Sequence, residues 1–210
     1  MIKILIADDH PIVRQGLKQI VAEESDMQVL GEAPDAQGVI ALLQRQAWDI
    51  VILDVQMPGR SGLDVLQELR RERPNLPVLI LSVQPEDQYA VRVLRSGAAG
   101  YMTKDTAPEE LVKAIRKVVA GGRYVSSALA EKLARDLEIG ASGPLHETLS
   151  NREFQVLCMI GSGKTVGQIA DELSLSAKTI STNRERILEK MRMKSNAELT
   201  HYSIKNHLVE

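Results

Sequence analysis

The chain carries one cysteine, Cys158, in 210 residues. A lone thiol closes no internal disulfide and supplies no thiolate cluster, which excludes a stapled secreted scaffold and a zinc finger and makes a reducing compartment the expectation. Aromatics amount to 3%, with one Trp, one Phe and four Tyr, too few rings for a platform that stacks single-stranded nucleic acid. Neither charge dominates: 26 Lys and Arg stand against 28 Asp and Glu, a net charge of −2. A basic polymer that coats DNA or anionic lipid non-specifically is therefore excluded, and any DNA contact must be local. Long apolar runs are missing too, and the opening MIKILIADDH is broken by acid at Asp8. Without a signal-peptide core or a bilayer span, the expectation is a soluble, cytoplasmic protein with no membrane contact.

What the chain does have is 44% hydrophobic residues, enough for a sizeable core in one large domain or two modest ones. Short Val/Ile/Leu-rich runs recur at Ile2–Ala7, Met27–Gly31, Asp49–Asp54, Val78–Ser82 and Ala99–Met102. Between them lie segments of helical spacing, such as Leu63, Val65, Leu66 and Leu69, or Leu111, Ala114, Ile115 and Val118. Five strand–helix alternations, with strands apolar throughout, predict a parallel sheet covered by helices on both sides. This α/β domain is expected over residues 1–123. A connector follows over 124–147, with a short helix at Ser126–Leu137 and the flexible run IGASGPLHE. The remainder, 148–210, shows only helical segments: Ser150–Gly161, Val166–Leu173, Ser176–Met191 and Ala197–Asn206. It is also the positive end of the chain, with nine basic and eight acidic groups over 145–210.

In an open parallel sheet, ligands collect beyond the carboxyl ends of the strands. There the sequence places Asp8 and Asp9 after the first strand, Asp54 after the third, Ser82 after the fourth and Lys104 after the fifth. Any one of these acids is an ordinary loop residue, and Asp9 alone reads as a cap for the helix beginning near Pro11. Jointly they read differently. Three crowded carboxylates repel unless a cation sits among them, and hard oxygen donors favour Mg²⁺. With a metal on one side and Lys104 on the other, Asp54 is placed to attack phosphorus, and the Ser82 hydroxyl to donate to a phosphoryl oxygen.

These residues stand in motifs: DDH at 8–10, LDVQMPGRSG at 53–62, LSV at 81–83 and GAAGYMTK at 97–104. The segment resembles a two-component receiver domain over residues 1 to about 122. The resemblance implies a five-stranded, doubly wound, flavodoxin-like fold with Asp54 as phosphoacceptor. It implies Mg²⁺ held by Asp8, Asp9, Asp54 and the backbone carbonyl of Gln56, with Ser82 and Tyr101 as the switch pair and Lys104 on the phosphate. Two positions depart from the family pattern: Val83 replaces the small residue after the switch hydroxyl, and Asp105 replaces the proline after the lysine.

In the C-terminal part, GSGKT at 161–165 imitates a phosphate loop. Cys158 occupies the position where such a loop needs its first glycine, and a helical segment precedes it rather than a strand. The stretch therefore reads as a helix end and a turn. Thr165 then caps a helix carrying Ile169, Ala170 and Leu173 inward, and Ser176 caps a longer one, which together predict a helix-turn-helix. On the second helix Ile180, Ile187, Leu188 and Met191 share the inner face, leaving Lys178, Ser181, Thr182 and Glu185 outward. LSNREFQVL at 149–157, IADELSLSAKTIS at 169–181 and NAELTHYSIKN at 196–206 resemble the LuxR-type module of NarL/FixJ response regulators. That resemblance implies a small four-helix DNA-binding domain whose second motif helix enters the major groove of promoter DNA. Ser181, Thr182 and Glu185 become candidate base readers, and Lys178, Thr179, Arg184 and Lys190 candidate phosphate contacts.

The partners so implied are a sensor histidine kinase, double-stranded promoter DNA, a second copy of the chain and RNA polymerase, for a regulator that is not a free-standing enzyme. A phosphohydrolase using Asp54 as a transient nucleophile lacks its second acid, because Gln56 stands two residues on. A further alternative keeps the fold and the DNA binding but makes them independent of phosphorylation.

Overall fold

The structure, a computed structural model, describes the chain except residues 58, 59, 85, 132–143, 207 and 210. It divides into two compact units, Met1–Ile139 and Gly140–Glu210.

In the first unit five strands alternate with five helices. They are β1 (Ile2–Ala7), α1 (Pro11–Ala22), β2 (Met27–Ala33), α2 (Ala36–Arg45), β3 (Ile50–Asp54), α3 (Gly62–Glu72), β4 (Val78–Ser82), α4 (Glu86–Arg95), β5 (Gly100–Thr103) and α5 (Ala107–Val119). The sheet is wholly parallel in the order β2-β1-β3-β4-β5. β3 and β4 are buried at every residue, as parallel strands covered on both faces must be. The edge strand β2 differs from the expected uniform apolarity: Gln28 and Glu32 are exposed and burial alternates, because one side of an edge strand meets solvent. α1 and α5 close one face through Leu17, Val21, Leu111, Ile115 and Val118, packed on Ile4, Ile6, Ile50 and Ile52.

The register aligns the strand ends. Ala7 pairs with Leu53, Asp54 with Leu81, and Ser82 with Thr103. The residues emerging next, Asp8, Asp54, Ser82 and Lys104, therefore lie along one rim, and the strand order reverses at β1, which opens a crevice there. After α5 the chain returns to the free edge of β5. Tyr124 donates its N–H to the Ala99 carbonyl at 3.0 Å, and its own carbonyl accepts from the Tyr101 N–H at 3.2 Å. Gly100 permits this approach, since a Cβ there would sit 2.8 Å from the Tyr124 carbonyl oxygen. Of the helix expected at Ser126–Leu137, residues 127–131 are helical and the rest lies outside the described residues, as do most of the expected flexible run and Pro58 of the 53–62 motif.

The second unit is all helical: a 3₁₀ turn (Leu145–Thr148), α6 (Asn151–Gly161), α7 (Val166–Glu172), α8 (Ala177–Met191) and α9 (Asn196–Lys205). Each α-helix starts on a hydroxyl cap: Ser150, Thr165, Ser176 and Ser195 accept from the backbone N–H three residues on. α6 is buried from Glu153 to Gly161 and packs against α8 and α9. The GSGKT segment is a helix end and turn: Gly161 closes α6, Gly163 takes φ +81°, and Thr165 caps α7. Gly161 serves packing instead of conformation, since a Cβ would meet Ser203 at 2.7 Å. Among the described residues no helix is long and apolar enough to cross a membrane.

Candidate functional site

At the carboxyl rim of the sheet, single donor atoms of Asp8, Asp9, His10 and Asp54 all lie within 4.8 Å of one another. Asp8 and Asp54 are buried. Lys104 Nζ reaches from the end of β5 to Asp54 Oδ2 and Asp8 Oδ2, each at 2.7 Å, and Asp54 Oδ1 accepts the Gln56 N–H at 3.0 Å. Burial pushes the Asp54 carboxyl up to about 6; the Lys104 ammonium and the Gln56 N–H hold it back, and the Asp8 charge adds to the rise. Burial pulls Lys104 down, but the neighbouring carboxylates of Asp54 and Asp8 outweigh that and leave it above the usual lysine value.

One ammonium among three carboxylates leaves negative charge uncompensated. Asp8 Oδ2 and Asp9 Oδ1 are screened from solvent and, among the described residues, accept no hydrogen bond of good geometry, although Lys104 Nζ and His10 Nδ1 lie 2.7 Å away. Clustered oxygen donors with unspent acceptor capacity fit a hard divalent cation.

Ser82, Tyr101 and Lys104 meet the rim through the loop after β4. The Ser82 Oγ accepts the Gln84 N–H at 3.1 Å, the buried Tyr101 donates its O–H to the Gln84 carbonyl at 2.7 Å, and the Lys104 N–H donates to the Ser82 carbonyl at 2.8 Å. Val83 is 61% exposed beside the buried Ser82. Two participants escape sequence reasoning. Arg14, one turn into α1, donates to the Asp8 carbonyl at 2.6 Å and lies 3.4 Å from Glu32; its only sequence signal is its place on the helix that follows DDH. Gln84, which joins Ser82 to Tyr101, carries no signal at all, because its backbone makes both bonds.

In the second unit α7, a tight turn and α8 form the helix-turn-helix, with Ser174 in the left-handed region at φ +52°. Lys178, Thr179, Thr182 and Glu185 are exposed, while Ser181 and Arg184 are half-buried. Thr182 Oγ donates to the Lys178 carbonyl at 3.0 Å, and Arg184 Nε bonds Asn196 Oδ1. Lys190 is tied to Glu153, with Nζ 2.6 Å from Oε2, so it stands apart from the other candidates by holding α8 to α6.

Comparison with known proteins identifies a family for each unit. Residues 4–116 match the family described as the response regulator receiver domain, and residues 147–203 match the bacterial regulatory proteins of the luxR family. The chain belongs to the NarL/FixJ response regulators of two-component systems: a receiver and a LuxR-type DNA-binding domain that regulate transcription. It is 38% identical to the response regulator GacA of Pseudomonas aeruginosa, over 100% of this chain and 99% of the relative. Against the response regulator UvrY of Escherichia coli the identity is 35%, over 99% and 96%. A solved structure of the Salmonella typhimurium response regulator RcsB matches with a TM-score of 0.63 at 26% identity, covering 96% of this chain and 98% of that one. A structure of an RcsB–DNA complex matches with a TM-score of 0.60 at 27% identity, covering 96% of each chain.

Proposed function

We propose that Asp54 stores the signal as an acyl phosphate received from a sensor histidine kinase, and that this state controls dimerisation and sequence-specific promoter binding. The reading rests on one juxtaposition: Asp54 ends β3 at the crevice, with Lys104 Nζ at 2.7 Å and the acids of β1 beside it. Mg²⁺ would be held by Asp8, Asp9, Asp54 and the backbone carbonyl of Gln56, where it supplies charge neutralisation for an anionic phosphoryl group. An Asp54 oxygen forms the new bond to phosphorus as the donor's phosphorus–nitrogen bond breaks. Lys104 then turns from carboxylate partner to phosphoryl partner, stabilising the equatorial oxygens. Ser82 donates its hydroxyl to the same group, giving up its place on the Gln84 N–H, and the Tyr101–Gln84 bond passes the change to the loop before α4. Moving a two-state receiver from 1:99 to 99:1 takes about 5.5 kcal/mol of differential stabilisation, and a smaller shift gives graded control.

For the output, α8 enters the major groove, with Ser181, Thr182 and Glu185 toward base edges and Lys178, Thr179 and Arg184 toward phosphates. Lys190 reaches a phosphate only by leaving Glu153. Two linked heads gain affinity on paired half-sites. The assignment takes 1–123 as receiver, 124–147 as linker and 148–210 as DNA-binding domain, in a cytoplasmic regulator that also meets RNA polymerase. Titration of promoter fragments with the protein, with and without beryllofluoride and Mg²⁺, tests the scheme. Tighter binding in the presence of beryllofluoride, abolished by Asp54→Ala, is expected. Equal affinity in both states overturns it in favour of phosphorylation-independent DNA binding.

A further inference from the structure

The opposite end of the sheet carries a cleft that phosphorylation at Asp54 does not use. It lies before β3, β4 and β5 and beyond the end of α5, is an open cleft of about 540 Å³, and is lined by Trp48, Asp49, Arg70, Gly97, Gly122 and Arg123 together with Asn75 and apolar wall residues. That volume falls within the range of small-molecule sites. Its charge is unbalanced toward positive. Asp49, which accepts the Lys3 N–H at 2.7 Å, is the one acid of the lining, against two arginines, Arg70 and Arg123.

Arg70 is fixed in place. Nη1 donates to the Pro74 carbonyl at 2.8 Å and Nη2 to the Leu76 carbonyl, while Nε is screened from solvent and has no hydrogen-bond partner among the described residues. Its stem lies across Gly97, where a Cβ would come within 2.7 Å of Cδ and where φ is +99°. The absent side chain at Gly97 thus makes room for a fixed cation. Burial lowers the Arg70 pKa, and the charge of Arg123 lowers it further, as two like charges close together and short of a counter-ion must. Arg123 is exposed and among the described residues has no ion pair. A guanidinium pair beside apolar walls matches a dianion carried on a compact apolar body.

We propose that this cleft binds a small phosphate monoester, its phosphate bridging Arg70 and Arg123 and its apolar part against the wall that includes Trp48. Trp48 is the sole tryptophan of the chain, so its emission reports occupancy directly. The test is a titration of the full-length protein in chelator with phenyl phosphate, inorganic phosphate and benzyl alcohol. Trp48 emission and the amide resonances of Gly97, Gly121 and Gly122 are followed. Phenyl phosphate is expected to give a saturable change with a dissociation constant of about 1 mM or below. Inorganic phosphate should bind about tenfold more weakly, and benzyl alcohol should show no saturation. Arg123→Ala, an exposed position that leaves the fold intact, should weaken phenyl phosphate about tenfold, whereas Asp54→Ala should leave it unchanged. Absence of a saturable response in both readouts, an unaltered Arg123→Ala variant, or a response lost in Asp54→Ala overturns the proposal. Equal affinity for inorganic phosphate overturns the ester assignment.

Discussion

Gly62→Ala tests whether the β3–α3 junction has room for any side chain, and its consequence can be worked from distances. An alanine Cβ at 62 would stand 1.9 Å from the Asp54 carbonyl oxygen, 2.9 Å from its carbonyl carbon and 3.0 Å from Val55 Cα. Ordinary contact starts at 3.4 Å, so the backbones must part by about 3.4 − 1.9 = 1.5 Å, well beyond what a close-packed interior absorbs. Every obstacle is main chain, so no rotamer relieves it. The opening is resisted by the Gly62 N–H bond to the Val55 carbonyl at 3.0 Å and by Leu63, Val65, Leu66 and Leu69, which anchor α3 in the core. The cost exceeds ordinary overpacking, at about 3 kcal/mol or more. Gly16→Ala is the control. It lies inside α1, among the described residues nothing outside its own helix turn stands within 4 Å of its would-be Cβ, and helix propensity alone gives a gain of about 0.5–1 kcal/mol. Urea unfolding followed by Trp48 emission reads the first unit selectively, because Trp48 is buried there. The midpoints should move in opposite directions at constant slope. A Gly62→Ala protein within about 1 kcal/mol of the parent would refute the packing argument.

Asp54 ionises less readily folded than its ordinary value of 3.8 allows, since burial pushes it up to about 6. Its contribution to stability is therefore full below its unfolded value and is lost as pH rises through the folded one. In metal-free buffer near pH 7, Asp54→Asn should stabilise the first unit by about 1–3 kcal/mol, with (6 − 3.8) × 1.36, about 3, as the ceiling; a gain larger at acid pH than at neutral contradicts this. In the second unit burial pushes Glu153 up, but Lys190 and the Ser150 N–H pull it down further, leaving it below its usual 4.5. The folded form favours the carboxylate, so this stability is present above that value and lost as pH falls through the lowered one. Lys190→Met should cost about 1–3 kcal/mol and flatten the acid limb in circular-dichroism melts; an unchanged melt counts against the tie between α8 and α6. Lys178→Ala should leave melting alone, weaken all promoter fragments similarly and reduce the salt slope of binding by about one. A change confined to one DNA sequence would mark Lys178 as a base reader instead.

The parallel sheet and its strand ends were legible because buried strands are mostly apolar runs, and Asp8, Asp54 and Ser82 are the polar residues that close three of them. Two helices of the second unit were legible for a similarly local reason: Thr165 and Ser176 announce their starts through capping hydroxyls three residues ahead of the bonded N–H. What escaped is long-range. The Lys190–Glu153 tie spans 37 residues, and the return of Tyr124 to β5 depends on the missing side chain at Gly100. Arg14 acts on a carbonyl, and Gln84 acts through its backbone, so neither side-chain chemistry nor spacing marks them. β2 misled in the other direction, since its place at the sheet edge is settled by topology and not by its own residues.

The central claim is that the Asp54 carboxylate accepts and holds a phosphoryl group. Peptide-mapped mass spectrometry after brief treatment of the full-length chain with acetyl phosphate and Mg²⁺, then quenching in acid, measures this most directly. One phosphoryl group on the peptide containing Asp54, dependent on Mg²⁺ and lost in Asp54→Ala, is the predicted result. Equal incorporation in Asp54→Ala, or a chain that never gains the group, would contradict it.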